Sequence, residues 1–486
     1  MRSLRQITTA AGMTALLSTA AFAQQSIKSS FDRTVLPRPG ADPVARIPEW
    51  TRSTLSNGAQ LIVVERHALP LVTLTMSFVG GSNQIEPADK PGLGSITASM
   101  MTEGTTTHTG DEISNALQLL GTSIGFGISG EGGSVSFRAL KDKFAPTLAV
   151  MVEEMLTPAF PEAALDRLRQ RTLVNLKQNL DRTAGIASVV YPKLLYTTDH
   201  PYGRTMSEAS VVAITRTDVV AFHKAFYQPS RAIITVVGDI TPVDAKAKIE
   251  NALAAWPAGG TAATFEYPAP PAAKATTVYI VDKPDAAQST FAIGLVGPAR
   301  NTPDYFALRV MNSLFGELFQ SRINANIREA KGWSYGVNSG FAYGRGPGQF
   351  RAGGEIQTDK TDSALVEFVK EIKGIRGATP VSDDELASAK AALIQSLPSR
   401  LASLSGISGM VSEIYVLGLP EDYWTQFQRG VNAVTTAEVQ RVAQKYIDAD
   451  HLAILIVGDR KKIEGPVRAT GVAPVVILDA KGNPVG

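Results

Sequence analysis

Two stretches of this chain, Ile214 to Asp239 and Val434 to Asp459, can be laid on each other without a gap. ITRTDVVAFHKAFYQPSRAIITVVGD and VTTAEVQRVAQKYIDADHLAILIVGD keep a constant offset of 220 residues, Thr435 standing to Thr215 as Asp459 stands to Asp239. Helix, Tyr, short loop, apolar strand and Gly-Asp follow in the same order. A match of this length means that one structural unit has been used twice. The length of 486 residues agrees, being too long for one ordinary domain. Each copy carries strands first, then helices, then the helix–strand ending. Segregated runs of this kind predict α+β architecture: two homologous domains, each a mainly antiparallel sheet packed on helices, facing each other around a cleft as a clamshell.

The boundaries follow from local pattern. MRSLRQITTAAGMTALLSTAAFAQQ has a basic start (Arg2, Arg5), a short apolar run (Ala10 to Ala20) and a small-x-small site, Ala21-Phe22-Ala23. This predicts a cleaved signal peptide over 1–23, with export to a periplasm. The run is too short to span a bilayer. Residues 24–50 are polar and dotted with proline, and read as an extended arm. The first domain is expected over 51–256. Asn57-Gly58 marks a turn, Ala59 to Glu65 and Leu71 to Val79 read as strands, and Asp111 to Leu120 as a helix. Ser123 to Leu140 reads as a hairpin, and Phe144 to Leu156 and Pro161 to Leu180 as helices. Leu165, Leu168, Leu173, Leu176 and Leu180 recur at helical spacing as a core stripe. The Pro/Ala/Gly/Thr-rich stretch 257–277 has no apolar period and reads as a linker. The second domain is expected over 278–465, and 466–486 as a tail.

Charge excludes some functions. Lys plus Arg is 47 and Asp plus Glu is 45, a net charge of +2. This near-balance, with no Lys/Arg block, gives no electrostatic case for nucleic acid or a membrane surface. The chain has no cysteine, so disulfides, a cysteine nucleophile and cysteine-ligated metal are all excluded.

Several motifs in order then point to one family: TLSNGAQLIVVE, GGSNQ followed by GLGSITASMMTEGT, HPYGRTMSEAS, FYQPSRAIITVVGD and INANIREAKGWSYGV. Together they resemble the M16 peptidases, the inverted-zinc-motif family that includes the mitochondrial processing peptidases and the core proteins of respiratory complex III. The resemblance runs from about Leu55 to Asp459. It implies a His-x-x-Glu-His helix, where two His one turn apart bind zinc and the Glu polarises the bound water, with a third ligand, a glutamate, on a later helix. Laid on this chain, the His positions fall on Ser95 and Ser99 and the Glu on Ala98. The third ligand should lie around Thr172 to Gln178, yet Arg167 to Leu180 contains no acidic residue. The five histidines, His67, His108, His200, His223 and His451, include no pair at i, i+4 and read as isolated surface or structural residues. No metal is expected in this chain.

The second half keeps what the first has lost. The family carries an Arg and a Tyr in its C-terminal domain, in a motif resembling Leu-Arg-Glu-x-x-Gly-Leu-Ala-Tyr. Here Ile327 to Tyr335 reads IREAKGWSY, so Arg328 and Tyr335 match. The resemblance implies that they hold the substrate near the scissile carbonyl, where a guanidinium and a phenol can donate to a developing oxyanion. Phe315 to Arg322 lies where some members have a glycine-rich substrate loop, but it has one glycine and that role is not carried over.

Three functions are compatible with these residues. The first is the non-zinc subunit of a heterodimer, in which a zinc-bearing M16 homologue hydrolyses peptides while Arg328 and Tyr335 act in trans; the peptide would be held extended, by strand addition to a sheet edge. The second is a non-catalytic scaffold or peptide-binding protein of the same fold. The third is a hydrolase using Ser95 or Ser99, which have no Gly-x-Ser-x-Gly elbow and no evident His or Asp partners.

Overall fold

In LVTLTMSFV, Val72, Leu74, Met76 and Phe78 alternate with Thr73, Thr75 and Ser77, and the segment forms strand β3 (Leu71–Val79) with the first set in the core. The computed structural model describes residues 46–264 and 266–485, all within one compact unit. The expected signal peptide (1–23) and the arm up to residue 45 lie outside the described residues.

The first half holds β1 (Thr51–Thr54), β2 (Gln60–Glu65), β3, helix α1 (Leu93–Met100), α2 (Gly110–Leu120), β4 (Ile124–Ile128), β5 (Gly132–Leu140), α3 (Phe144–Leu156), α4 (Glu162–Leu180), α5 (Thr183–Tyr196), α6 (Arg216–Phe226), β6 (Ala232–Gly238) and α7 (Pro242–Ala252). The second half holds β7 (Thr277–Asp282), β8 (Gln288–Val296), α8 (Tyr305–Asn312), β9 (Val337–Ala342), β10 (Gln349–Gln357), α9 (Thr361–Lys373), α10 (Asp383–Leu401), α11 (Leu404–Leu417), α12 (Tyr423–Ala433), α13 (Thr436–Tyr446), β11 (Ala453–Gly458), α14 (Arg460–Ala469) and β12 (Val475–Leu478). The two six-stranded sheets run β1-β2-β6-β3-β5-β4 and β12-β7-β11-β8-β10-β9, so the repeat extends to the order of five strands and differs only at the edges, β1 and β12. Pairing is antiparallel except for β2–β6, β7–β11 and β7–β12. Thr215 and Thr435 cap α6 and α13 alike, each hydroxyl accepting the amide three residues on.

One face of each sheet packs on helices of its own half. The other face is covered by a helix from the opposite half. From the second half, α11 lies on β3 and β6, its Ile407 and Val411 packing with Ile62, Val64, Ile233 and Val237. From the first, α5 lies on β8 and β11, its Ile186, Ala187 and Val190 packing with Val281, Ala292, Leu455 and Val457. Hydroxyl pairs line both seams: Thr235 Oγ1 and Ser412 Oγ at 2.9 Å, Ser408 Oγ donating to Thr75 Oγ1 at 3.0 Å, and Thr290 Oγ1 donating to Thr183 Oγ1 at 2.8 Å. The expected clamshell thus takes the form of a reciprocal exchange of helices.

One boundary differs from expectation, and two irregular segments are anchored. The end of the arm is anchored, since the Trp50 indole donates to the Tyr415 hydroxyl at 2.8 Å. The linker has no regular element before β7, yet it is tied down: the Tyr267 hydroxyl donates to Glu131 Oε1 at 2.6 Å and its ring lies 5.1 Å from that of Tyr202. The division placed at 465/466 falls inside α14, and the expected tail returns as β12, which pairs in parallel with β7 because VVIL can bury Ile477 and Leu478 there.

Candidate functional site

Helix α1 starts at Gly92, which caps it with a left-handed φ of 103°. The Glu86 carboxylate seals the first turn, accepting from the amides of Gly92 (3.2 Å) and Gly94 (2.6 Å). Burial raises the Glu86 pKa against the pull of those amides. One turn into the helix, Ser95 and Ser99 are exposed on one side, with Ala98 buried between them. Ser99 Oγ donates to the carbonyl of Ser95 at 3.1 Å, so that hydroxyl is bound to its own helix. No histidine or acid contacts either serine hydroxyl in the described residues, which leaves the serine-hydrolase reading without a base.

Helix α4 packs against α1. Thr172, Asn175, Leu176, Gln178, Asn179, Arg182 and Met206 line a cavity of about 670 Å³ there. A second cavity, of about 250 Å³, is lined by Ser95, Glu86, Arg204 and Met206 among others. Met206 borders both, so space persists around the position the resemblance gives to a metal. Its walls are hydroxyl, amide, thioether and guanidinium. The one carboxylate, on Glu86, is engaged by two backbone amides. These groups do not fit a zinc site, which needs three converging His, Cys or carboxylate ligands. No group of three or more such side chains that could hold a metal occurs among the described residues.

The histidines are scattered as expected. His67 pairs with Asp239 (2.6 Å), His108 with Glu153 (2.7 Å) and His451 with Asp448 (2.7 Å). His223 Nε2 donates to the carbonyl of Met155 at 2.8 Å. His200 is buried, its Nδ1 accepting from the Tyr202 amide at 3.1 Å, and burial lowers its pKa.

In the second half, α8 runs into a widened π turn (Ser313–Glu317), and a second π turn (Ala325–Ala330) carries Arg328. Such turns recur at functional sites because they re-aim side chains out of register. Gly332, with φ of 67°, ends this helix and its amide donates to the Arg328 carbonyl at 2.9 Å. Trp333 packs on the core, and the Ser334 hydroxyl bridges the carbonyls of Gly336 (3.0 Å) and Glu355 (2.6 Å). Tyr335, between these anchors, is 91% exposed. The Arg328 side chain is 35% exposed; its Nε lies 3.3 Å from Glu329 Oε1 and its guanidinium 4.4 Å from the Phe319 ring centroid. The two residues singled out in the sequence therefore lie on either side of Gly332 in one braced segment, Tyr335 in solvent and Arg328 half-buried.

Two residues there escaped the sequence reading. Phe319 is 56% exposed beneath Arg328. Asn324 is buried: its Nδ2 donates to the Phe319 carbonyl at 2.7 Å, and its Oδ1 accepts the Val337 amide at 3.1 Å. One amide thus ties the Phe319 turn to the strand that follows Tyr335. The only sequence signal was an aromatic residue in the polar run GELFQSR.

Comparison with known proteins places this geometry in a family. Residues 61–196 match the family model described as Insulinase (Peptidase family M16), and residues 213–393 match that of the Peptidase M16 inactive domain. YmxG of Bacillus subtilis (strain 168), called an uncharacterized zinc protease, is 21% identical over 83% of this chain and 97% of its own length. An Arabidopsis thaliana protein called "Probable mitochondrial-processing peptidase subunit beta" is 22% identical over 85% of this chain and 78% of its own. Among solved structures, a peptidase M16 inactive domain from Pseudomonas fluorescens superposes with a TM-score of 0.78 at 27% identity, covering 84% of this chain and 98% of that one. A protease from Helicobacter pylori superposes equally well, with a TM-score of 0.78 at 19% identity, over 85% of this chain and 100% of its own.

Proposed function

The chain belongs to the M16 peptidase family but lacks the family's zinc motif, and we propose that it is the non-zinc subunit of a heterodimeric metallopeptidase. A zinc-bearing M16 homologue carries out hydrolysis, and this chain grips the peptide through Arg328 and Tyr335. The guanidinium binds the substrate backbone, and both groups donate to the carbonyl oxygen as it gains charge. The reading includes export to a periplasm through the 1–23 signal. The observation that carries it is a contrast within one molecule: α1 and α4 present no ligand set, while the Arg328–Tyr335 segment is braced and holds Tyr335 in solvent.

The test is reconstitution with the homologue that co-purifies with this chain. Arg328→Ala and Tyr335→Phe should each lower kcat by about 10²-fold or more, the cost of one lost donor to a developing oxyanion, with the complex intact on gel filtration. Full activity in both variants removes the assignment. The description of the model matched by residues 213–393 as an inactive domain favours a second reading, a non-catalytic scaffold or peptide-binding protein. A stable complex that cleaves no peptide under any metal condition would establish that reading instead.

A further inference from the structure

We infer that Phe319 is a specificity-determining residue of this site: its ring forms the wall against which an apolar side chain of an extended peptide packs, next to the bond that is cut. The inference rests on the function proposed above for Arg328 and Tyr335.

A single exposed phenylalanine is ordinary on a protein surface, and what sets Phe319 apart is its bracing and its neighbour, Arg328. Phe319 is 56% exposed and belongs to none of the hydrophobic clusters of the described residues, so it does little for the core. It is nevertheless held firmly. Asn324, only 4% exposed, grips its carbonyl at 2.7 Å and the Val337 amide at 3.1 Å, which fixes Phe319 relative to Tyr335. The Arg328 guanidinium lies 4.4 Å from the ring centroid, a cation–π contact that sets the two side chains together. Ring and guanidinium thus form one surface, and the backbone just past Tyr335 is tied to it through Asn324 and the Val337 amide. A peptide whose carbonyl reaches Arg328 and Tyr335 brings a neighbouring side chain to that ring. The pairing of an apolar plane with donors suits a main-chain carbonyl flanked by an apolar residue.

The experiment uses the complex of this chain with its zinc-bearing partner and pairs of peptides differing only in Leu or Ser beside the cleaved bond. Phe319→Ser should lower the ratio of kcat/KM for the Leu peptide over the Ser peptide about 10-fold, the scale of a lost apolar contact; any loss through the Arg328 contact falls on both peptides and leaves that ratio untouched. Phe319→Leu should restore the preference. An unchanged Leu/Ser ratio in Phe319→Ser, while Arg328→Ala abolishes cleavage of both peptides, overturns the wall alone. If Arg328→Ala leaves both peptides cleaved as before, the underlying reading fails and takes the wall with it. If Phe319→Ser dissociates the complex without altering preference, the ring serves the partner, and the inference is likewise overturned.

Discussion

At the scale of single residues, the loss of metal chemistry is confined to a few side chains on a helix frame that is otherwise intact. Gly92 still turns the chain into α1, and Glu86 still caps it. Ser95, Ala98, Ser99 and the acid-free stretch of α4 were readable directly, because ligand identity is a property of sequence. Arg328 and Tyr335 were singled out by a motif match, and their role is the one proposed above. Phe319 and Asn324 were not, since their roles come from contacts across turns with no periodic pattern. A third kind of residue is equally hidden: Glu154 on α3 is fully buried, and neither carboxyl oxygen has a hydrogen-bond partner among the described residues. Burial, helped by the charge of Glu153, raises its pKa to about 8. The unfolded chain loses this proton near 4.5 while the folded chain keeps it. The contribution to stability is therefore full below about pH 4.5 and is lost as pH rises towards about 8. In Glu154→Gln the fall in Tm between about pH 5 and pH 8 should be smaller than in the parent chain. An equal fall in both proteins would show that this carboxyl is not the titrating group.

Among elements, period and capping carried most of the fold. The strand Leu71–Val79 and the Phe144–Leu156 helix stand where the sequence put them, and the Thr215 and Thr435 caps keep the repeat's constant offset. The exchange of α5 and α11 was not legible. An apolar stripe at helical spacing shows that a helix is buried, and leaves open which sheet buries it. The same holds for β12, where four apolar residues are too few to separate a strand from a loop end. The exchange has an energetic consequence. Ile186 of α5 and Ile407 of α11 are each 2% exposed and pack on the sheet of the other half. Replacing either by Ala should cost about 2–4 kcal/mol through lost burial and a residual cavity. Because each helix belongs to one half and covers the other, both variants should still unfold in one denaturant transition at a lower midpoint. Two separate transitions in the parent chain would mean that the halves are independent and the exchanged helices do not couple them.

On the scale of the whole molecule, a duplicated unit has diverged in chemistry while keeping its frame. The half that should hold a metal offers hydroxyls and amides around open space, and the half that should grip substrate presents a braced Arg–Tyr segment. Under the proposed function each is incomplete alone, and a homologous chain of the same fold supplies the missing part. Complementation is the most direct measurement of that claim. The purified chain, its co-purifying homologue and an equimolar mixture are assayed for bound zinc and for cleavage of a peptide pool. The expected result is no stoichiometric zinc and no cleavage for this chain, and cleavage by the mixture well above that of the homologue alone. Stoichiometric zinc on the solitary chain together with unaided cleavage would contradict the account.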